Sequence, residues 1–405
     1  MERAIKKAFA EGKFVERALK KIDMGLGVLA RNILYKFGKI KQNKLFVMTY
    51  DNSFTCNPSY IVEELLQRNE DIEIVWAVSS YSTAVKESFP EEIKLVKRGS
   101  FEMFEEMASS KIWLDNALNC VWYYMPKKRK QVYINTWHGS MGIKRLKGNK
   151  QWMFRARQCK RKTDYCISNS VFEDQVYRGT FWPHTPILRY GHARNDLFFD
   201  HQKIEIAKRK VRECFELQEN QKIFMYAPTF RDDGDTSCYT MDYAKVKESL
   251  EKRFGGDWVV FVRAHFKNRE KKQETEYNDW LKDASEYPDM QELMVVADAG
   301  STDYSSWAYD YILTKRPLFI YAADLEKYDQ GRGFYYPLST TPFPIAQNNE
   351  EMQKVIEEFD DLKYKKQCEE FLKDKGCAEQ GTASRKVADL ILNLMKSEVK
   401  DSSQS

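Results

Sequence analysis

Apolar residues in this chain come in short β-rich bursts separated by stretches with a three-to-four-residue rhythm, and that alternation sets the first reading. Leu45-Phe46-Val47-Met48-Thr49-Tyr50, residues 72–78, Ile93-Lys94-Leu95-Val96, Lys111-Ile112-Trp113-Leu114 and residues 132–135 are the first bursts. Helical spacing fills residues 60–68 and 101–109 between them. Strands alternating with helices predict a parallel, doubly wound sheet. Residues 165–168 and 187–191 extend it, a charged helix is predicted over 200–217, and Glu219-Asn220-Gln221 reads as a link. A second α/β unit then opens at residues 223–226, with further strands expected at 258–263, Leu293-Met294-Val295-Val296-Ala297 and 318–321. A helix is expected over 307–314, whereas 144–162 is basic with little apolar period and reads as a long loop or an irregular helix. At 405 residues the chain has room for two such domains. The expected division is a basic amphipathic segment at 1–43, an N-terminal α/β domain at 44–218, a C-terminal α/β domain at 219–396 and a disordered tail at 397–405. The fold class is thus two Rossmann-like domains facing a cleft.

Charge refines this picture at one end only. The net charge is +5, yet residues 1–44 hold twelve basic and four acidic side chains, a balance of +8. The remainder is slightly acidic, so no general nucleic-acid surface is implied and no nucleic-acid partner is expected. Leu26, Leu29, Ile33, Leu34 and Phe37 fall at helical spacing among those lysines, which predicts a segment that lies on an anionic membrane surface without spanning it. The competing reading is an ordinary helix packed on the first sheet. No run of eighteen apolar residues and no signal-peptide pattern is present, and the eight cysteines are scattered without a CxxC pair. The expected compartment is the cytoplasmic face of a bacterial membrane.

Candidate chemistry gathers where the predicted strands end. Asn135-Thr136-Trp137-His138-Gly139-Ser140, with Gly142 and Lys144 beyond, places His138 at a sheet's carboxyl edge, where α/β folds open their ligand crevice. Arg263-Ala264-His265 repeats that arrangement in the second domain. Thr302-Asp303-Tyr304-Ser305-Ser306 precedes a helix, whose unpaired N–H groups and dipole suit a diphosphate; taken alone, the same residues are equally a helix cap. Tyr226-Ala227-Pro228-Thr229-Phe230-Arg231 brings Thr229 and Arg231 to a strand end, and arginine's fork suits phosphate. Asp232-Asp233 is more consistent with a solvated turn than with a metal site, so no metal or cofactor is expected. Gly331-Arg332-Gly333-Phe334 sets Arg332 between two glycines that let backbone approach a ligand.

Taken in order, these motifs resemble the CDP-glycerol glycerophosphotransferase family, whose members build or prime teichoic-acid-like polyol phosphate chains. The resemblance runs from about Asn135 to about Tyr336 and implies a glycosyltransferase-B-like plan. It implies His138 and His265 as catalytic and the 302–306 segment as binding the donor's phosphates; with the strand-end reading of Thr229 and Arg231, the expected donor-binding residues are Thr229, Arg231, Thr302, Ser305, Ser306 and Arg332. The Asp324-Leu325-Glu326-Lys327-Tyr328 segment supports Arg332 by matching a family pattern. The implied reaction moves a polyol phosphate from CDP-glycerol, or from CDP-ribitol on the same fold, to a lipid-linked or polymeric glycan acceptor, releasing CMP. A reading from another class, a non-catalytic basic membrane-binding protein, explains the N-terminus but not two strand-end histidines. His192 in Gly191-x-x-Arg194-Asn195-Asp196 is read as orienting a loop. Ser140-Met141-Gly142 departs from the family, where a threonine and a proline are common, so the acceptor is expected to differ.

Overall fold

A computed structural model describes residues 28–29, 31–50, 53–80, 82–122, 125–140, 142–146, 150–229, 231, 237–264 and 276–397. The first sheet has seven parallel strands in the order β3-β2-β1-β4-β5-β6-β7: β1 Lys41–Met48, β2 Glu73–Val78, β3 Ile93–Lys97, β4 Ser110–Asp115, β5 Val132–Asn135, β6 Tyr165–Ser168 and β7 Ile187–Arg189. Its central strands are apolar on both faces, as a sheet sandwiched between helices requires. Leu45 and Val47 join one core with Ile61, Leu65 and Trp76, while Phe46 and Met48 join a second with Met103, Met107 and Trp113.

The second sheet has six parallel strands in the order β10-β9-β8-β11-β12-β13: β8 Lys222–Tyr226, β9 Trp258–Val262, β10 Leu281–Asp283, β11 Ala299–Thr302, β12 Leu318–Tyr321 and β13 Ile345–Ala346. Both sheets reverse their winding, between β1 and β4 in one and between β8 and β11 in the other. Crevices open at such switch points, outside the carboxyl ends of the strands. The expected pair of Rossmann-like domains facing a cleft is therefore present.

Two expectations change. The run Leu293-Met294-Val295-Val296-Ala297 is not a strand: Met290–Val296 is a helix, started by Asp289, whose carboxylate accepts from the Gln291 N–H. A continuous apolar run is equally compatible with a buried helix, and here the cap decides. The strand is instead the small-residue stretch Ala299–Thr302, where Trp307 crosses so close that bulk is excluded. The basic segment after His138 contains a regular helix, Lys150–Lys162.

The chain also crosses back. The last helix, Ala383–Lys396, follows the second sheet in sequence but packs with the first: Arg68 pairs with Asp389 at 2.6 Å, and Asp196 accepts from the Ala383 and Ser384 N–H groups at 2.9 and 2.7 Å. At the N-terminus, residues 31–37 are helical, with Leu29, Ile33 and Phe37 exposed and Leu34 resting on the second core; residues 1–27 lie outside the described set. Among the described residues no helix is long and apolar enough to cross a membrane.

Gly300 gives a direct test of the revised strand. A Cβ there would lie 2.9 Å from Trp307 Cη2 and 3.2 Å from the Met225 carbonyl oxygen. Gly300→Val is expected to destabilise the protein by about 1–3 kcal/mol through overpacking, measured by urea unfolding. An unchanged midpoint would place the strand elsewhere.

Candidate active site

The loop after β5 has an unusual backbone that hydrogen bonds hold in place. Trp137 has a left-handed φ of 52°, which costs roughly 1–2 kcal/mol for a non-glycine residue. Its N–H donates to Asn135 Oδ1 at 2.9 Å, and its ring packs on Phe181 and Trp182 at 4.7 and 6.0 Å. Asn57 Nδ2 donates to the carbonyls of Thr136 and Trp137 at 3.2 and 3.1 Å. The next two carbonyls, of His138 and Gly139, accept from Arg194 Nη1 and Nη2 at 2.9 and 3.0 Å. Four consecutive carbonyls are thus bound by two side chains.

His138 is half-buried between the rings of Tyr50 and Trp137, at 5.0 and 4.6 Å. Its Nδ1 lies 2.6 Å from the Asn116 carbonyl oxygen. A carbonyl only accepts, so Nδ1 carries the proton and Nε2 keeps its lone pair. Burial pushes the imidazole down to about 4, against the Asn116 hydrogen bond that favours its charged form; Arg194, Lys144 and His192 lower it further. His138 is accordingly neutral through the physiological range.

A cavity of about 640 Å³ lies between the domains, and strand ends from both sheets line it. Tyr50 and Ser53 follow β1, Ser79 follows β2, Arg98 follows β3 and His138 follows β5; Ala227, Arg263, Ser285 and Ser305 follow β8, β9, β10 and β11. This volume is in the ordinary range for a small-molecule site. Arg98 is locked by donating to the Ala77 and Thr49 carbonyls at 3.0 and 2.7 Å, and Arg263 by donating to those of Ala284 and Tyr287 at 2.9 and 2.6 Å. Both guanidiniums are therefore fixed in orientation at the wall.

Of the residues singled out from the sequence, His138, Ser305 and Ser306 meet at this cavity. The two serines precede the short helix Trp307–Tyr311, with Ser306 at its cap position. The chain also reaches the cavity at Arg263 and Ala264, whereas His265, Asp232 and Asp233 lie outside the described residues. Thr302 is fully buried and donates to the Ala227 carbonyl at 2.8 Å. Thr229 is buried too, its N–H donating to Asp303 at 2.8 Å.

Arg231 is not among the residues lining the cavity. Its fork donates to Asp324 through Nε and Nη2 at 2.7 and 2.8 Å, and to Asp303 and the Thr229 carbonyl through Nη1 at 2.7 and 2.6 Å. The Tyr304 and Tyr328 rings, stacked at 3.9 Å, each lie 5.1 Å from the guanidinium. Burial would raise the Asp324 carboxyl, but the Arg231 hydrogen bonds override it and hold the group below the ordinary carboxylate range. Arg332 reaches the Arg145 carbonyl at 3.3 Å, in a segment where Gly333 (φ 76°) and Tyr335 pair with Arg145 and Ile143 of the loop beyond His138. The Gly-Arg-Gly-Phe motif thus docks one domain on the other. Ser140, at the departure from the family pattern, is buried and accepts from Asn169 at 2.8 Å.

Sequence reasoning did not single out Arg194, which is 4% exposed and paired with Asp310 of the second domain at 2.9 Å. Asn195 binds the other Asp310 oxygen and Glu379, both at 2.9 Å. Burial raises the Glu379 carboxyl to about 7, against the lowering effect of His192 and Asn195. His192 lies with its Nε2 3.1 Å from Glu173 Oε2; burial would lower the imidazole, and Glu173 raises it above its ordinary value. The Gly191-x-x-Arg194-Asn195 segment was the available signal, but its partners are remote in sequence.

A model of the family described as CDP-Glycerol:Poly(glycerophosphate) glycerophosphotransferase matches residues 31–393. A Staphylococcus epidermidis teichoic acid poly(glycerol phosphate) polymerase is 30% identical over 84% of this chain, and the chain spans about half that relative, 49% of its length. A Bacillus spizizenii protein of the same name is 29% identical over 84% of this chain and 89% of its own length. A Bacillus spizizenii teichoic acid poly(ribitol-phosphate) polymerase is 24% identical over 94% of this chain and 61% of its own. The solved structure of a histidine-to-asparagine variant of the wall teichoic acid polymerase TagF, soaked with CDPG, superposes with a TM-score of 0.79 at 28% identity, covering 94% of this chain and 96% of that one.

Arg231→Ala separates a packing role from a ligand role. Removing the cation leaves two largely buried carboxylates uncompensated, and a loss of about 3–5 kcal/mol is expected in urea unfolding. A stable variant with only a weakened donor KM would return Arg231 to the ligand site.

Proposed function

Because the chain belongs to the CDP-glycerol:poly(glycerophosphate) glycerophosphotransferase family, we propose that it transfers glycerol phosphate from CDP-glycerol to a hydroxyl of a teichoic-acid-like acceptor, releasing CMP. The observation that carries this reading is a neutral His138 at the cavity between two sheets, with Nδ1 engaged and Nε2 left as a base. The acceptor hydroxyl attacks the glycerol-bearing phosphorus and its proton passes to Nε2. The bond to the CMP oxygen breaks, CMP leaves, and a phosphodiester forms. The imidazolium then returns its proton to solvent or to the departing phosphate.

Charge development falls on the transferred phosphoryl group and the leaving CMP. Ser305 and Ser306 supply hydroxyls at the wall, and Arg263 a fixed cation on the donor side. His265, two residues beyond Arg263, is proposed as the second catalytic histidine. Thr229, Thr302, Arg231 and Arg332 support the donor wall from behind: the first three tie the loops after β8 and β11 together, and Arg332 stands in the docking segment.

CDP-ribitol is the alternative donor, favoured by the likeness to a ribitol-phosphate polymerase. A lipid-linked or polymeric acceptor at a membrane surface agrees with the exposed Leu29, Ile33 and Phe37 beside the basic N-terminal sequence.

An imidazole near 4 is a weak base in the free enzyme, but the donor's anionic diphosphate will favour its charged form. The acid limb of kcat/KM, which reports the free enzyme, is therefore expected well below 6.5, and that of kcat at higher pH. His138→Ala is expected to lower turnover about a hundredfold or more while circular dichroism stays unchanged. A kcat/KM midpoint at or above 6.5, or near-normal turnover in His138→Ala, would remove His138 as the base.

A full chain that binds anionic vesicles and is released by salt, while a chain beginning near Lys44 stays in solution, is the outcome expected of the membrane-surface role. Equal partitioning of the two would end it.

A further inference from the structure

The backbone of the His138 loop is held by a residue of its own domain that is itself anchored in the other. Arg194 Nη1 and Nη2 donate to the His138 and Gly139 carbonyls at 2.9 and 3.0 Å. Its Nε and Nη2 donate to a single Asp310 oxygen at 3.1 and 2.9 Å. Its backbone N–H donates to Asn57 Oδ1 at 3.2 Å, and Asn57 in turn binds the Thr136 and Trp137 carbonyls. Asp310, 3% exposed, stands in the helix Trp307–Tyr311, directly after the cavity-lining Ser305 and Ser306, and Asn195 holds its second oxygen. The guanidinium reaches both the loop and the opposite domain.

We infer that Arg194 and Asp310 are positioning residues for the transfer: the pair sets the place of the His138 imidazole relative to the donor wall, so that the base is in reach of the acceptor hydroxyl only while the domains are in register. This inference rests on the transfer reading above. The geometry needs arginine's fork, because two carbonyls and a carboxylate are bound by one guanidinium. A lysine keeps the charge but reaches only one or two of these partners. A displacement of about 1 Å from a reacting position can lower a rate about a hundredfold.

Arg194 also stands as a cation near His138, together with Lys144 and His192. Removing its charge therefore predicts a rise in the imidazole midpoint that the charge-conserving Arg194→Lys should not share.

The test uses the full chain with Arg194→Lys, Arg194→Met, Asp310→Asn and the Arg194→Lys/Asp310→Asn double variant. CMP release from CDP-glycerol in the presence of a glycerol-phosphate-bearing acceptor gives kcat and KM, and NMR of ¹⁵N-labelled histidine gives the His138 tautomer and midpoint. Arg194→Lys and Asp310→Asn should each lower kcat about ten- to a hundredfold with donor KM changed less than about threefold. The double variant should be no worse than the poorer single one, since both break one unit. The midpoint should stay in Arg194→Lys and rise in Arg194→Met. Unchanged kcat, independent multiplicative losses, or a loss wholly in KM would overturn the inference, the last by making Arg194 a donor ligand. Should Arg194→Met fail to fold, the conservative variants decide through kcat and the population of the Nδ1–H tautomer, which Arg194→Lys should loosen and a purely structural contact would leave fixed. Should wild-type protein release no CMP, the transfer reading fails first, and the NMR arm still tests whether Arg194 sets the His138 imidazole.

Discussion

The buried Arg194–Asp310 pair joins the two sheets at the point where their crevices face each other. Each sheet alone would open its carboxyl edge to solvent. The pair, with Tyr60 donating to Asp289 at 2.9 Å and residues 143–146 lying along 333–335, turns two open edges into one cavity. Such a pair contributes little net stability, because desolvating both charges offsets most of their attraction. Its contribution is geometric: one guanidinium is bound both to Asp310 and to two carbonyls of the His138 loop.

From that constraint follows the state of the imidazole. The loop carries His138 under Tyr50 and against the Asn116 carbonyl, which fixes the proton on Nδ1. Burial and neighbouring cations then keep the ring neutral, with Nε2 unprotonated. The opposite wall brings hydroxyls from Ser305 and Ser306 and the fixed cation of Arg263.

Much of the fold was readable from periodicity, because the central strands are continuous apolar bursts bounded by polar turns. The failure at residues 293–297 has a specific cause: a run buried on every side carries no period, and the deciding signal was the Asp289 cap before it. Site residues divided along similar lines. His138 was legible because strand, glycine and histidine are contiguous. The sequence alone points Arg231 at a phosphate; its carboxylate partners, Asp303 and Asp324, lie 72 and 93 residues away and appear only in the fold. Arg194 escaped for the same reason, with Asp310 116 residues distant. Arg98 reaches the wall only through the order in which strands are laid side by side, which local sequence does not encode.

A base and a nucleophile are different roles for the same Nε2, and the stereochemistry at phosphorus separates them. CDP-glycerol carrying a single sulfur at the glycerol-bearing phosphorus has one defined configuration there. If the acceptor hydroxyl attacks directly while His138 removes its proton, the product diester will have inverted configuration. Retention would require two displacements through a phosphorylated side chain, and would contradict His138 as a general base.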